Sequence, residues 1–502
     1  MRARALMVQG TMSGVGKSLL VAGLCRVFAQ DGLRVAPFKA QNMALNSAVT
    51  ADGLELGRAQ AMQAEAAGIE PTSAMNPVLL KPTSNTGSQV VVRGRPRATM
   101  SAREYFRYRP TLADEVRAAY EELASMYDVI LIEGAGSPVE INLGPDDFVN
   151  MGMARMASSP VLLVGDIDRG GVFAQLVGTM MLLGEDERRM VRATVVNKFR
   201  GDASLFATGM DMLRERTGVP VAGLVPHMDV HLDEEDSTAE LLERRRAEGM
   251  VDVAVVRLPR ISNFTDFAAL DALDGVGVRY VAGAHELGWP DLVILPGTKA
   301  TMADLRWLRQ SGLELALVRA ARAGVPLLGI CGGYQMLGQS ICDPSGAEGG
   351  GELAGMGLLP VRTTFAPHKR TTRSAGSFLG VGGVLAEVSH VPVSGYEIHM
   401  GTTEREGGRA LLRLAGAGEE PCDDGCQQGS VYGCYLHGLF DEPQVAAATV
   451  RSLLAARGQD LREVRVRDLV TYKQRQYDLL AEGLRRSMDL NLVRKIVERG
   501  LL

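Results

Sequence analysis

The sequence predicts an α/β protein made of two doubly wound, mostly parallel-sheet domains. Short runs of β-branched residues and leucine, such as Val129-Ile-Leu-Ile132 and Pro160-Val-Leu-Leu-Val164, alternate with helical patterns in both halves of the chain. In each half a glycine-rich turn with chemically capable side chains stands between an apolar strand and a helix. The charged stretch 227–250, containing Asp-Glu-Glu-Asp and Glu-Arg-Arg-Arg-Ala-Glu, separates the halves and reads as a helical, solvent-facing linker. The expected units are therefore 1–226, the linker 227–250, a second domain 251–445, and a helical segment 446–502 packed on that second domain. Its amphipathic pattern also offers a subunit contact for a homo-oligomer.

Composition narrows the function classes. A chain of 502 residues holds two or three domains, and 46% apolar with 23% charged residues is ordinary for a soluble fold. The net charge of −5 gives no basic footprint, so a nucleic-acid partner is not expected. No apolar run reaches the roughly 18 residues that span a bilayer, so no membrane partner is expected. The opening residues Met1–Gly10 read as a strand rather than a signal peptide. Six scattered cysteines make no disulfide framework, and a reactive thiol suits a reducing compartment; a cytoplasmic location is expected.

The first strand, 4–9, runs into Gly10-Thr-Met-Ser-Gly-Val-Gly16-Lys17-Ser18 and a helix to about Gln30. This is a phosphate-binding loop in the strand-to-helix context it requires. Gly14, Val15, Gly16, Lys17 and Ser18 are the expected ATP-binding residues. Their backbone N–H groups would cradle phosphates, Lys17 would reach the β/γ-phosphates, and the Ser18 hydroxyl would meet Mg²⁺. Thr11 occupies the place of the usual first glycine, and Gly10 lies one residue earlier. This longer loop resembles that of dethiobiotin synthetase and its relatives.

A strand at 34–39 leads into a polar loop with Lys39, Gln41, Asn42, Asn46, Asp52 and Glu55, at the edge where parallel α/β sheets bind ligands. Helical patterns follow at 57–67 and 112–126, and then a buried strand ending in Glu133. An acid at that position suits Mg²⁺, with Ser18 and Asp52 as further metal-side oxygens. The pattern repeats through Asp166-Ile-Asp168, a helix over 172–183, the strand ending Asn197-Lys198, and a last strand from Pro220.

The second series starts at Val251 and passes through Asp291-Leu-Val-Ile-Leu-Pro-Gly297-Thr298 to Pro326-Leu-Leu-Gly329-Ile-Cys331-Gly332-Gly333. Gly-x-Cys-x-Gly has the mechanics of a nucleophile elbow, in which flanking glycines make room for a sharp strand-to-helix turn. The helix N-terminus favours the thiolate, and the Gly332 N–H is aimed at a developing oxyanion. Far downstream, Val431-Tyr-Gly-Cys-Tyr-Leu-His437-Gly places a histidine at a strand end, where it could serve as the base. Together these resemble the class I glutamine amidotransferases. In that family a Pro-Gly-Gly turn gives a second oxyanion donor, which implies Gly297 here, with Thr298 in place of the last glycine. The family's usual carboxylate two residues after the histidine is Leu439, so a Cys331–His437 dyad is expected. Cys422, Cys426 and Cys434 lack a fourth ligand at zinc spacing, and His227 with His231 reads as a solvated face.

A glutaminase joined to a nucleotide loop implies a carboxylate activated by phosphorylation and then attacked by ammonia passed internally between the sites. The whole chain resembles the cobyric acid synthase family, of the cobyrinate-amidating group. The residues that carry the likeness are the loop Gly10–Ser18, Phe38-Lys-Ala-Gln-Asn-Met-Ala-Leu-Asn-Ser47, Asn76-Pro-Val-Leu-Leu-Lys-Pro82, Glu133-Gly-Ala-Gly-Ser-Pro-Val-Glu-Ile-Asn-Leu143, Asp166-Ile-Asp-Arg-Gly-Gly-Val-Phe-Ala174 and Gly395-Tyr-Glu-Ile-His-Met-Gly401. The resemblance implies ATP- and glutamine-dependent amidation of the b, d, e and g carboxylates of adenosylcobyrinic acid a,c-diamide. It implies Cys331 as nucleophile and His437 as base. Among the polar residues at the sheet edges, Lys39, Asn42, Asn46, Asp166 and Asp168 are the candidate corrinoid contacts. An a,c-diamide synthase of the same build, and more distantly a partitioning P-loop ATPase, are the alternatives.

Overall fold

The computed structural model describes residues 3–83, 86–140, 147–232, 249–459 and 469–501. The first domain is organised on six parallel strands in the order Val221–Pro226, Val191–Phe199, Val161–Asp166, Arg4–Gly10, Val129–Glu133, Val35–Phe38. The central strand pairs on both sides, Met7 lying in register with Val161 and with Ile132. Residues of the inner strands are buried on both faces, which explains their unbroken apolar runs. Because the strands are parallel, their C-terminal ends share one edge. The phosphate loop, the 39–55 segment, Glu133 and Asp166 converge there.

Two additions interrupt this scheme. A four-stranded sheet, Gln41–Met43, Val78–Pro82, Gly87–Val92 and Arg95–Ser101, lies beside the main one. A small hairpin, Ser47–Val49 with Glu55–Gly57, reaches toward the second domain.

The second domain repeats the architecture. Its sheet runs Val276–Val281, Val251–Val256, Leu292–Leu295, Leu327–Ile330, Val431–Cys434, Cys426–Gln428, parallel except for the last strand. Ile330 is paired with Cys434, so the elbow cysteine and the histidine leave neighbouring strand ends. A second sheet contains a long antiparallel ribbon, Val361–Phe378 against Pro392–Arg405. Both doubly wound sheets fit the expectation; the antiparallel additions were not foreseen.

The C-terminal expectation needs correction. Pro443–Ala456 does pack into the core of the second domain, through Val445, Val450 and Leu453. Leu469–Ser487 and Leu490–Arg499 instead join the core of the first domain. Tyr477, Leu480, Ala481 and Leu484 make one apolar stripe facing helix Lys17–Gln30, and at Gly23 a Cβ would stand 2.4 Å from Leu484 Cδ1. Arg26–Asp478 and Arg485–Asp31 ion pairs flank that seam. An amphipathic stripe specifies that a helix must pack, not which surface receives it. Here the receiving surface is the notch at Gly23. Residues 233–248 of the expected linker lie outside the described residues. His227 and His231 lie in an irregular stretch, and the His231 N–H donates to Gln476 Oε1.

Candidate active site

At the end of strand Leu327–Ile330 the chain turns sharply into helix Gly332–Leu337, and Cys331 takes φ 51° and ψ −109°. A non-glycine residue in that region is strained, as a nucleophile elbow requires. The glycines on either side have no room for a side chain: a Cβ at Gly333 would stand 1.9 Å from the Leu295 carbonyl oxygen, and one at Gly329 would stand 2.6 Å from Leu337. The Cys331 N–H donates to the Cys434 carbonyl, and the sulfur lies 3.5 Å from the Ile398 carbonyl oxygen.

His437 is fully buried, and its Nδ1 lies 2.7 Å from Asp266 Oδ2. A carboxylate can only accept here, so Nδ1 carries the proton and Nε2 is left for Cys331. The histidine therefore has an orienting acid, and the expected dyad becomes a Cys331–His437–Asp266 constellation. Asp266 also accepts from the Gly438 N–H and the Tyr396 hydroxyl, each at 3.3 Å. Tyr396 stacks on the imidazole with ring centroids 5.3 Å apart, and its backbone exchanges both hydrogen bonds with His437. Burial alone would lower the His437 pKa. The charge and hydrogen bond of Asp266, with Cys331 adding to them, outweigh it and push the imidazole up to about 10.

The acid escaped sequence reasoning because it lies 171 residues before the histidine. The signal available was positional. Asn263-Phe-Thr-Asp266 follows strand Val251–Val256 at the same ligand-binding edge as the elbow.

On the oxyanion side, a Cβ at Gly332 would lie 3.1 Å from the Thr298 nitrogen, so these two amides are near neighbours. Gly297 packs against the imidazole, where a Cβ would stand 2.8 Å from His437 Cε1, and its carbonyl accepts from Ser262. Thr298, the departure from the Pro-Gly-Gly pattern, turns its hydroxyl away to Asp304 and the Arg260 carbonyl.

At the other site the phosphate loop has left-handed Gly14 and Gly16, with φ of 72° and 86°, leading into helix Lys17–Gln30. Asn197 Nδ2 donates to the Val15 carbonyl at 2.8 Å and Lys198 Nζ to the Gly14 carbonyl at 2.6 Å, tying the loop to the strand beyond it. Lys17 Nζ donates to the Met12 carbonyl. Ser18 Oγ lies 2.9 Å from Glu133 Oε1, and Lys39 Nζ lies 2.8 Å from the same oxygen. Gln63 Nε2 holds the other carboxylate oxygen at 2.6 Å. Burial pushes the Glu133 pKa up, but Lys39, Gln63 and Lys17 outweigh it and hold the carboxyl below its ordinary value.

The remaining expected residues separate clearly. Ser18 and Glu133 meet, whereas Asp52 does not join them. It sits exposed at the hairpin tip, bonded to Thr50, and neighbouring Gly53 abuts the Thr371 carbonyl of the second domain. A short hairpin between 47 and 57 carries Asp52 away from the sheet edge, which the sequence pattern did not reveal. Asn42 bonds Gln60, Asn46 bonds the Phe264 N–H, and Asp166 accepts from the Asp168 and Arg169 amides. These three and Lys39 are buried. Asp168 is exposed and pairs with Arg200.

The two domains meet at a buried junction. Glu55 accepts from Lys81 of its own domain and from Lys369 of the second. Arg373 Nε donates to the Val49 carbonyl, and Val49 packs with Tyr396 and Ile398.

A glutamine-hydrolysing elbow joined to a phosphate loop defines a ligase that uses glutamine as its nitrogen donor. Residues 252–445 match the family described as CobB/CobQ-like glutamine amidotransferase domain, and residues 6–241 match the CobQ/CobB/MinD/ParA nucleotide binding domain. A cobyric acid synthase of Ruminiclostridium cellulolyticum is 51% identical over 99% of this chain and 98% of its own length. A cobyric acid synthase of Lachnoclostridium phytofermentans is 49% identical over 99% of this chain and all of its own length. Among solved structures, PurLQS from Thermotoga maritima aligns at 17% identity and TM-score 0.30, over 41% of this chain and 99% of that one. The chain belongs to the cobyric acid synthase family.

Proposed function

We propose that this protein converts adenosylcobyrinic acid a,c-diamide to adenosylcobyric acid by amidating its b, d, e and g carboxylates, using ATP and glutamine. The observation that carries the reading is the Cys331–His437–Asp266 constellation joined through a buried junction to the phosphate loop. In the glutaminase half, the Cys331 thiol gives its proton to His437 Nε2, and the thiolate attacks the side-chain amide carbon of glutamine. The amides of Gly332 and of the Gly297–Thr298 turn receive the oxyanion. His437 gives its Nε2 proton to the departing nitrogen, and ammonia leaves. Water then attacks the thioester, His437 takes its proton, and glutamate is released with Cys331 restored.

In the synthetase half, Gly14, Val15 and Gly16 present backbone N–H groups to the phosphates of ATP, and Lys17 lies beside the transferred group. Ser18 and Glu133 supply hard oxygen donors 2.9 Å apart, a set suited to Mg²⁺. Bound there, the ion neutralises phosphate charge. A substrate carboxylate oxygen attacks the γ-phosphorus and ADP leaves. Ammonia then attacks the acyl carbon of the acyl phosphate, and inorganic phosphate departs with the carboxyl oxygen. Asp168 is the expected corrinoid contact open to a substrate.

The test is incubation of the corrinoid with Mg·ATP and glutamine, followed by mass spectrometry. Carboxyl-to-carboxamide exchange at b, d, e and g is the expected outcome. Exchange confined to a and c in cobyrinic acid would overturn the reading in favour of the a,c-diamide synthase.

A further inference from the structure

The orienting acid Asp266 sits on a short turn that the other domain holds. Asn263 adopts the left-handed conformation, φ 51° and ψ 39°, and starts the 3₁₀ turn Phe264–Phe267. The Asp266 N–H closes that turn on the Asn263 carbonyl at 3.0 Å. Two hydrogen bonds then cross the domain junction in opposite senses. The Ser47 N–H donates to Asn263 Oδ1 at 3.1 Å, and the Phe264 N–H donates to Asn46 Oδ1 at 3.3 Å. Asn46, Ser47, Asn263 and Asp266 are all buried, so water cannot replace either bond at low cost.

On the first-domain side the clamp is continuous with the nucleotide site. The Asn46 carbonyl accepts from the Arg58 N–H at the start of helix Arg58–Ala67. That helix carries Gln60 and Gln63, both on Glu133. Ser47 Oγ bonds Glu55, which Lys369 of the second domain also holds.

We propose that Asn46 and Asn263 are positioning residues for the glutaminase: by pinning the Asp266 turn to the synthetase hairpin, they make glutamine hydrolysis depend on the seating of the other domain. The inference rests on the glutaminase reading above. Once the clamp is released, Asp266 keeps its charge but loses its fixed place beside Nδ1. His437 is then less well oriented, and the imidazolium is less well supported.

The test uses the full chain. Glutamine hydrolysis and ammonium-supported corrinoid amidation are measured side by side for wild type, Asn263→Gly, Asn46→Ala and Asn46→Asp. Glycine keeps the left-handed backbone while deleting the side-chain acceptor. Aspartate keeps an acceptor for the Phe264 N–H and gives up an Asn46 Nδ2 that has no partner in the structure, at the cost of a carboxyl in a buried place. Asn263→Gly and Asn46→Ala are expected to lower glutaminase kcat on the order of ten- to a hundred-fold. KM for glutamine should change little, and the alkaline limb of the pH profile should move to lower pH. Asn46→Asp, which keeps the acceptor, should retain more of the rate than Asn46→Ala. Amidation from ammonium should hold in Asn263→Gly.

Unchanged glutamine hydrolysis in Asn263→Gly would overturn the proposal. So would a parallel fall of both activities with a lower unfolding midpoint, which marks a merely structural contact. Loss of ammonium-supported amidation alone in Asn46→Ala would make Asn46 a substrate residue and also overturn it. A wild-type protein that hydrolyses no glutamine would instead defeat the underlying glutaminase reading.

Discussion

Asp266 and His437 form a buried pair in which the imidazole is pushed up to about 10, against an ordinary value of 6.5. A group whose folded pKa is raised stabilises the fold fully below its unfolded value, and that contribution is lost as pH rises through the folded one. Asp266→Asn removes the charge responsible. The variant should therefore be destabilised most at about pH 6, with the difference from wild type shrinking toward about pH 10. Urea unfolding at several pH values checks this, and a difference that grows with pH would contradict it. The same variant should lose on the order of a thousand-fold in glutaminase kcat, because an amide can hold His437 in the wrong tautomer. Amidation from ammonium should survive. Cys331 and His437 were legible in the sequence because each sits in a local pattern, glycines at plus and minus two or a strand end followed by glycine. Asp266 has no such local mark. Its role comes from parallel strands bringing distant C-terminal ends together. The same reasoning explains Asp52, whose spacing gave no warning that a hairpin would carry it away from Ser18 and Glu133.

The elbow shows how closely its turn and the underlying sheet are fitted. Gly333 lies against the Leu295 and Pro296 carbonyls, and no rotamer change can relieve a Cβ pressed onto backbone. Gly333→Ala should cost on the order of 3 kcal/mol in stability and displace Cys331. Chemical denaturation together with glutaminase rate is the check. A variant of wild-type stability and rate would show the turn to be looser than its geometry. Strands and helices of the two wound sheets were legible because buried parallel strands are continuously apolar and their helices keep a 3.6-residue period. The ribbon Val361–Phe378 with Pro392–Arg405 was not. It is rich in Arg, Thr, Ser and Gly, and much of its pairing is polar. Its form comes from cross-strand bonds and from the domain it spans, neither of which a hydrophobic period records.

Across the whole molecule, the chain closes on itself. The last two helices cross back to the first domain, so the synthetase core includes residues from both ends of the sequence. Leu484→Ala would leave a gap against Gly23 and should cost about 2–5 kcal/mol. That loss should appear as a lower unfolding temperature for the nucleotide-binding domain, with glutamine hydrolysis at moderate temperature little changed. Calorimetry with and without ATP assigns the transition, and a loss confined to the amidotransferase domain would contradict the packing. Two sites acting in series require that removing the Cys331 thiol spare the use of free ammonia. Wild type and Cys331→Ala are each given adenosylcobyrinic a,c-diamide and Mg·ATP, with either glutamine or ammonium chloride, and the corrinoid products are weighed by mass spectrometry. Wild type should carry the substrate through four carboxyl-to-carboxamide exchanges with either nitrogen source, and Cys331→Ala only with ammonium. A folded Cys331→Ala protein that still uses glutamine, or that fails with ammonium as well, would contradict the account.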